Sequence, residues 1–181
     1  MPAESPDPPD TPRLSPLPEA EWDDVLKVIA ATTGPLNIFT TLGRHPDLLH
    51  AWIGLGSMLL SKGTLDARTR ELLILRVAHH RSSEYEWHHH RRLGLEAGLS
   101  EVEIAALRLP TGDHPWTDDD RAVLTAADEL HDTGTLGDAT WDVLSRRFGE
   151  RELIELIFVV GHYHMVAFAL NALRVQPEKD A

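Results

Sequence analysis

The run R-E-L-L-I-L-R-V-A at residues 70–78 constrains the fold more than any other stretch of the chain. Between Leu72 and Ala78 a helix built from it is apolar almost all the way round. Such a helix has no face to offer water, so it must lie inside a bundle of other helices or inside an oligomer. The flanking segments supply those helices. Apolar residues recur at helical spacing over 19–32, where Trp22, Leu26 and Ile29 share a face. Further helices are expected over 46–62, opened by Pro46 and stopped by Gly63, and over 65–80. The remainder are 83–97, 101–109, 117–132, 138–148 and 150–173. Ser100 and Glu103 form an S-x-x-E capping box, and Thr117 with three aspartates suits a helix N-terminus. No segment alternates with the period of two that a half-buried strand needs. The expectation is an all-α, single-domain bundle of about eight helices spanning 19–175.

The ends are expected to differ from this core. Residues 1–18 hold seven of the twelve prolines and can bury little, so they read as a disordered or loosely docked arm, and 176–181 as a tail. The arm lacks the basic and apolar regions of a signal peptide. The most apolar segment, L-I-E-L-I-F-V-V-G-H-Y-H-M-V-A-F-A-L, is interrupted by Glu155, His162 and His164, which argues against a membrane span.

Composition removes several functions. A net charge of −12 opposes binding to nucleic acid or to anionic membrane surfaces. The chain has no cysteine, which excludes disulfides, thiolate nucleophiles and zinc–thiolate sites and fits a cytoplasmic location.

The chemistry-bearing stretch is R-S-S-E-Y-E-W-H-H-H-R-R at 81–92. Glu86 and His90 are four apart and share a helical face. His88 and His89 are rotated away from His90 by about 100° per residue, so three tandem histidines cannot converge on one point. In the structural reading, Ser83-x-x-Glu86 is a capping box, Tyr85 and Trp87 are packing residues, and His88, His89, Arg91 and Arg92 form a solvated face. In the acid/base reading, Glu86 and His90 are joined by Glu71. That glutamate sits on a helix otherwise fit for burial, and must be paired (with Arg68, Arg70 or Arg76) or have its pKa raised. A connection of only a few residues after His80 folds one helix back on the other and lets Glu71 approach Glu86 and His90. A metal site is the weakest reading. His79, His80, His162 and His164 lie on other helices, and His162 and His164 point in different directions.

The run R-E-L-L-I-L-R-V-A at 70–78, S-E-Y-E-W-H-H-H at 83–90 and A-G-L-S at 97–100 resemble the carboxymuconolactone decarboxylase-like family, which includes alkylhydroperoxidase-D-like proteins. V-V-G-H-Y-H-M-V-A-F-A-L-N at 159–171 resembles the closing helix of its longer members. The resemblance implies an all-helical fold of the alkylhydroperoxidase-D type, assembled as homotrimers or homohexamers. It also implies, for the redox branch, a Glu…Cys-x-x-Cys…His relay. Those positions fall on Glu71, Ser83, Glu86 and His90. Serine and glutamate cannot form a disulfide, so hydroperoxide reduction by that relay is lost here. The decarboxylase branch fits better, although related members with Y-E-W often carry a cysteine at the position of Ser83.

The functional expectation is therefore a cofactor-independent acid/base enzyme (a decarboxylase, isomerase or lactone-processing enzyme) acting on a small organic acid. Glu86 and His90 share the proton work, with Ser83 in the same catalytic cluster, and Glu71 orients His90. Arg76 or Arg81 receives a substrate carboxylate, and Tyr85 and Trp87 wall the substrate. No cofactor or metal is expected. The alternatives are a non-catalytic small-molecule-binding or structural oligomer of the same fold, and a metal-dependent enzyme using the histidines.

Overall fold

The computed structural model describes residues 11–178. The expected disorder of residues 1–10 and the last three positions of the tail lie outside the described residues. Among those described, nine α-helices and no strand are found, in accord with the all-α expectation. They are α1 (Asp24–Thr33), α2 (Asn37–Leu42), α3 (Pro46–Ser57), α4 (Ala67–His80), α5 (Glu84–Glu96), α6 (Glu101–Ala106), α7 (Asp118–Thr133), α8 (Asp138–Arg147) and α9 (Glu150–Leu173). The extra helix is α2. Its six residues, N-I-F-T-T-L, are too few to show a 3.6-residue repeat. The helix expected over 46–62 is α3 followed by a π-helical turn, Met58–Lys62. The capping box at Ser100 and Glu103 forms with both of its reciprocal hydrogen bonds, and Thr117 accepts from Asp120 N at the start of α7.

The chain divides into two compact units. One comprises residues up to 53 together with those from 169 onward. Its apolar core is Leu26, Ile29 and Leu49, with Leu17, Trp22, Phe39 and Trp52 packed around it. Asp23 caps α1 by accepting from Leu26 N at 2.8 Å, and meets His50 Nε2 at 2.9 Å. Backbone hydrogen bonds tie Arg13 N to Leu173 O and Leu17 N to Thr40 O, each at 2.9 Å.

The other unit, residues 54–168, carries the sequence motifs. Within it α4 is the central helix. Leu72, Leu73, Ile74, Leu75 and Val77 are wholly buried, against α5 on one side and α7 on the other. Each such side chain contributes about 1.5–3 kcal/mol relative to exposure. The apolar run is thus satisfied within the chain, without a partner. Leu156, Val159, Val160 and Tyr163 of α9 belong to the same core. Helix α9 is long and apolar enough to cross a membrane, but just over half of its most apolar window is buried. Its one interior acid, Glu155, accepts hydrogen bonds from Thr64 N at 2.6 Å, Thr64 Oγ1 at 2.8 Å and Leu65 N at 3.2 Å. Gly63 leaves room for it, because a Cβ there would lie 1.9 Å from Glu155 Oε1 and displace the carboxylate.

Candidate functional site

The turn from α4 to α5 sets the site. It is only three residues long, and Ser82 takes a left-handed conformation at φ 49°. Ser82 N donates to His79 O and Ser83 N to Ala78 O, which satisfies carbonyls at the end of α4. The chain therefore reverses at once, and α5 lies along α4. Glu71, near the start of α4, comes beside His90, in the middle of α5. His90 Nδ1 lies 2.7 Å from Glu71 Oε2, in a buried pair. Arg70 Nε donates to Glu71 Oε1 at 3.2 Å. Glu71 is wholly inaccessible, and a carboxylate in that position needs both partners.

Glu86 is buried as deeply but handled differently. Neither carboxyl oxygen, nor Ser83 Oγ one helical turn before it, makes a hydrogen bond of normal geometry. Burial pushes the Glu86 pKa up to about 8, and the nearby Ser83 hydroxyl pulls it back only in part. Glu86 is therefore largely a neutral acid at pH 7. Ser83 occupies the N-cap position of α5 but makes no side-chain cap, so the capping box readable at Ser83 and Glu86 does not form. Glu86 turns inward instead of back toward its own helix end. Of the three tandem histidines only His90 is buried.

Tyr163, absent from the sequence expectation, completes the cluster from α9. Its ring stands edge-on to His90 with centroids 5.0 Å apart. Burial, then the charges of Glu71 and Glu86, hold its phenol well above the ordinary range. The available signal was a polar-tipped aromatic inside an otherwise apolar stretch of α9.

The residues expected to bind substrate have other partners. Arg76 spends all five of its N–H donors: on Asp128 through Nε at 2.6 Å and Nη2 at 3.0 Å, on the carbonyls of Leu107 and Leu109 through Nη1 at 2.7 Å each, and on Thr111 Oγ1 through Nη2 at 3.3 Å. Its expected role as a carboxylate receptor is corrected accordingly. Arg76 is a buried tie between α4, α7 and the segment after α6. Burial raises the Asp128 carboxyl, but hydrogen bonds from His80 and Arg76 more than offset this and hold it well below the ordinary range. Arg81 turns to His131 Nδ1 and lies 5.4 Å from the Phe168 ring centroid. Tyr85 is buried with its ring 4.5 Å from that of His89. Trp87 is half-buried beneath the Arg108 guanidinium, 4.0 Å from the ring centroid, in a surface recess shared with Arg91 and Glu101.

His80, His131 and His164 form a separate group. His80 stacks on His131 at 4.1 Å, and His131 Nδ1 lies 3.1 Å from His164 Nε2. Among the described residues, no three histidine, aspartate or glutamate side chains converge to hold a metal ion.

The helical arrangement is that of alkylhydroperoxidase-D-like proteins. A peroxidase-related protein with an alkylhydroperoxidase AhpD core from Ralstonia eutropha JMP134 superposes with a TM-score of 0.80 at 17% identity, over 91% of this chain and 92% of its own. A peroxidase-related protein from Silicibacter sp. TM1040 gives 0.76 at 17% identity, over 99% and 97%. A cysteine-to-alanine variant of the debrominase Bmp8, in complex with 2,3,4-tribromopyrrole, gives 0.74 at 18% identity, over 92% and 91%. No functionally curated protein matches the chain. Residues 46–129, just under half of the chain, match the model of the carboxymuconolactone decarboxylase family. The segment contains Glu71, Ser83, Glu86 and His90. Tyr163 lies outside it.

Proposed function

We propose that the chain is a cofactor-independent acid/base enzyme that moves a proton on a small organic substrate, as in decarboxylation, isomerisation or lactone processing. The observation that carries this reading is the pairing of a buried Glu71–His90 dyad with a second buried carboxyl, Glu86, held neutral on the same helical face. A buried carboxyl kept neutral can donate a proton, while an imidazole held by a carboxylate can accept one.

The chemistry follows from the hydrogen bonds. Glu71 accepts from His90 Nδ1–H, which leaves the Nε2 lone pair as the base. Nε2 takes a proton alpha to a carbonyl, and Glu71 stabilises the imidazolium that forms. The Glu86 carboxyl donates its proton to the developing enolate or to carbon at the new position. In an isomerisation, transfer from His90 back to Glu86 then restores both groups with no net gain or loss of protons. In a decarboxylation the C–C bond electrons stay on the substrate as carbon dioxide leaves, Glu86 protonates the resulting carbanion, and solvent reprotonates Glu86. Tyr163 packs against the imidazole edge and limits its movement. The debrominase of the same fold, bound to tribromopyrrole, supports a small-molecule site in this architecture. Thiol peroxidase chemistry is disfavoured because the chain has no cysteine.

The test is a panel of small carbon acids, including β-keto acids and enol lactones, incubated in D2O. Proton exchange and carbon dioxide release are followed by NMR. A substrate turned over by the parent chain should lose a factor of about 10²–10⁴ in kcat with His90→Ala, and a comparable factor with Glu86→Gln. Unchanged rates in both variants would refute the assignment.

A further inference from the structure

Of the three arginines that the sequence offers to Glu71, the fold leaves it one. Arg68 is held by Glu103 at 2.6 Å and Asp120 at 2.9 Å. Arg76 is held by Asp128 at 2.6 Å. Arg70 Nε stands 3.2 Å from Glu71 Oε1. Successive residues on a helix are turned about 100° apart and do not face each other. The Arg70 side chain therefore folds inward along α4 to reach its neighbour, and only 18% of it is exposed. Its charge is felt beyond Glu71. Burial, then Glu71 and Glu86, raise the Tyr163 phenol, and Arg70 opposes them.

The contact between Glu71 and His90 does not by itself fix where the protons lie. A Glu71 carboxylate accepts from His90 Nδ1–H and leaves a lone pair on Nε2. A neutral Glu71 carboxyl donates to an Nδ1 lone pair, and the ring proton then sits on Nε2. Both arrangements satisfy the 2.7 Å separation of Nδ1 and Oε2. The first makes Nε2 a base, whereas the second makes it a donor that cannot take a proton. They differ by one proton, and burial favours keeping it on the carboxyl. Glu86 shows that outcome: at 2% exposure, with burial opposed only by the Ser83 hydroxyl, its pKa is pushed up to about 8.

We propose that Arg70 is the positioning residue that selects between these arrangements: its guanidinium holds Glu71 as a carboxylate, so the imidazole proton stays on Nδ1 and Nε2 keeps its lone pair. Arg70 acts through Glu71, on the oxygen opposite the one that meets His90. The inference deepens the acid/base reading and rests on it for the use made of Nε2.

The test uses the full-length chain, with nitrogen-15 in histidine and carbon-13 in the glutamate carboxyls, followed by NMR from about pH 6 to 9. Signals are assigned with His90→Gln and Glu71→Gln. Histidine nitrogen shifts separate a protonated ring nitrogen from one with a lone pair, and they need no substrate. In the parent chain, neutral His90 should carry its proton on Nδ1, and Glu71 should be ionised at pH 7. Arg70→Met should move the proton to Nε2 and bring the Glu71 carboxyl to its protonated position. Arg70→Lys, which keeps the charge, should retain the parent pattern. On a substrate of the parent chain, Arg70→Met should lose about 10²–10⁴ in kcat at pH 7, the loss of a working base, and recover as rising pH ionises Glu71. A parent chain with the proton already on Nε2 and Glu71 neutral would overturn the proposal, even if Arg70→Met failed to fold. So would methionine and lysine variants that behave alike. If the proton moves as expected but turnover is indifferent to His90→Ala, the role of Arg70 stands and the acid/base reading is refuted instead.

Discussion

Replacing Glu86 by glutamine should make the protein more stable as the pH rises, while lowering its activity. The unfolded chain releases the Glu86 proton near 4.5, but the folded chain holds it to about 8. Between those values the unfolded state binds fewer protons than the native state, so stability falls with increasing pH. The native state loses nothing from this group below about 4.5, and the full penalty is present above about 8. At about 1.36 kcal/mol per pH unit, that interval amounts to about 4–5 kcal/mol at most. Glu86 is 2% exposed, so solvent screening removes little of it. The figure is a large part of the 5–15 kcal/mol typical of a whole domain. Glutamine has the same shape and no charge to desolvate. Urea denaturation from pH 4 to 9 should therefore give parallel stabilities for the two proteins near pH 4. The variant should gain about 3–5 kcal/mol on the parent by pH 8–9. Comparing the two pH limits cancels any constant cost of a buried amide. A difference between the proteins that stays flat across this range would show that Glu86 titrates normally, and the acid role would lose its basis. Stability gained together with activity lost is the expected exchange at a site kept unfavourable for function.

Other perturbations separate the architecture from the chemistry. Asp128→Ala should destabilise by about 3–5 kcal/mol by leaving the buried Arg76 guanidinium short of its carboxylate, as read by thermal or urea denaturation. Glu155→Ala should cost about 2–4 kcal/mol, because the backbone donors of Thr64 and Leu65 lose their acceptor, and Gly63→Ala should also destabilise by displacing the same carboxylate. Ser82→Gly should stabilise by about 0.5–1 kcal/mol, since glycine adopts the left-handed turn at less cost. A Ser83→Cys/Glu86→Cys double variant should form an internal disulfide on oxidation, detectable by mass spectrometry, if the two Cβ atoms lie near the disulfide spacing of about 4 Å.

The legible parts of this molecule were those written locally. The apolar run from Leu72 announced the central helix, and Ser100 with Glu103 announced a cap, because both signals act within a turn or two of chain. Glu71 was readable as anomalous, since a carboxylate among buried positions must be paired or neutral. Its meeting with His90 followed from the short turn after His80. Destinations across the fold were not legible. Arg76 looks like a substrate receptor until α7 delivers Asp128 and the segment after α6 delivers two carbonyls. Ser83 and Glu86 have the spacing of a capping box, and only the tertiary packing that draws Glu86 inward decides against it. Tyr163 reaches the site from a helix 73 residues further along the chain, a distance over which periodicity carries no information. Helix α2 is shorter than two turns, so its pattern could not declare itself.

The proposed chemistry requires Glu86 to be a neutral acid on the same helical face as His90 of the Glu71–His90 pair. The most direct measurement is a carbon-13 NMR titration of the glutamate side-chain carboxyls in the folded protein, with Glu86→Gln used to assign the signal. The predicted result is a Glu86 resonance that remains in the protonated position at pH 7 and moves with a midpoint near 8. A midpoint in the ordinary carboxylate range, near 4.5, would leave the site with no acid at neutral pH and would contradict the proposed chemistry.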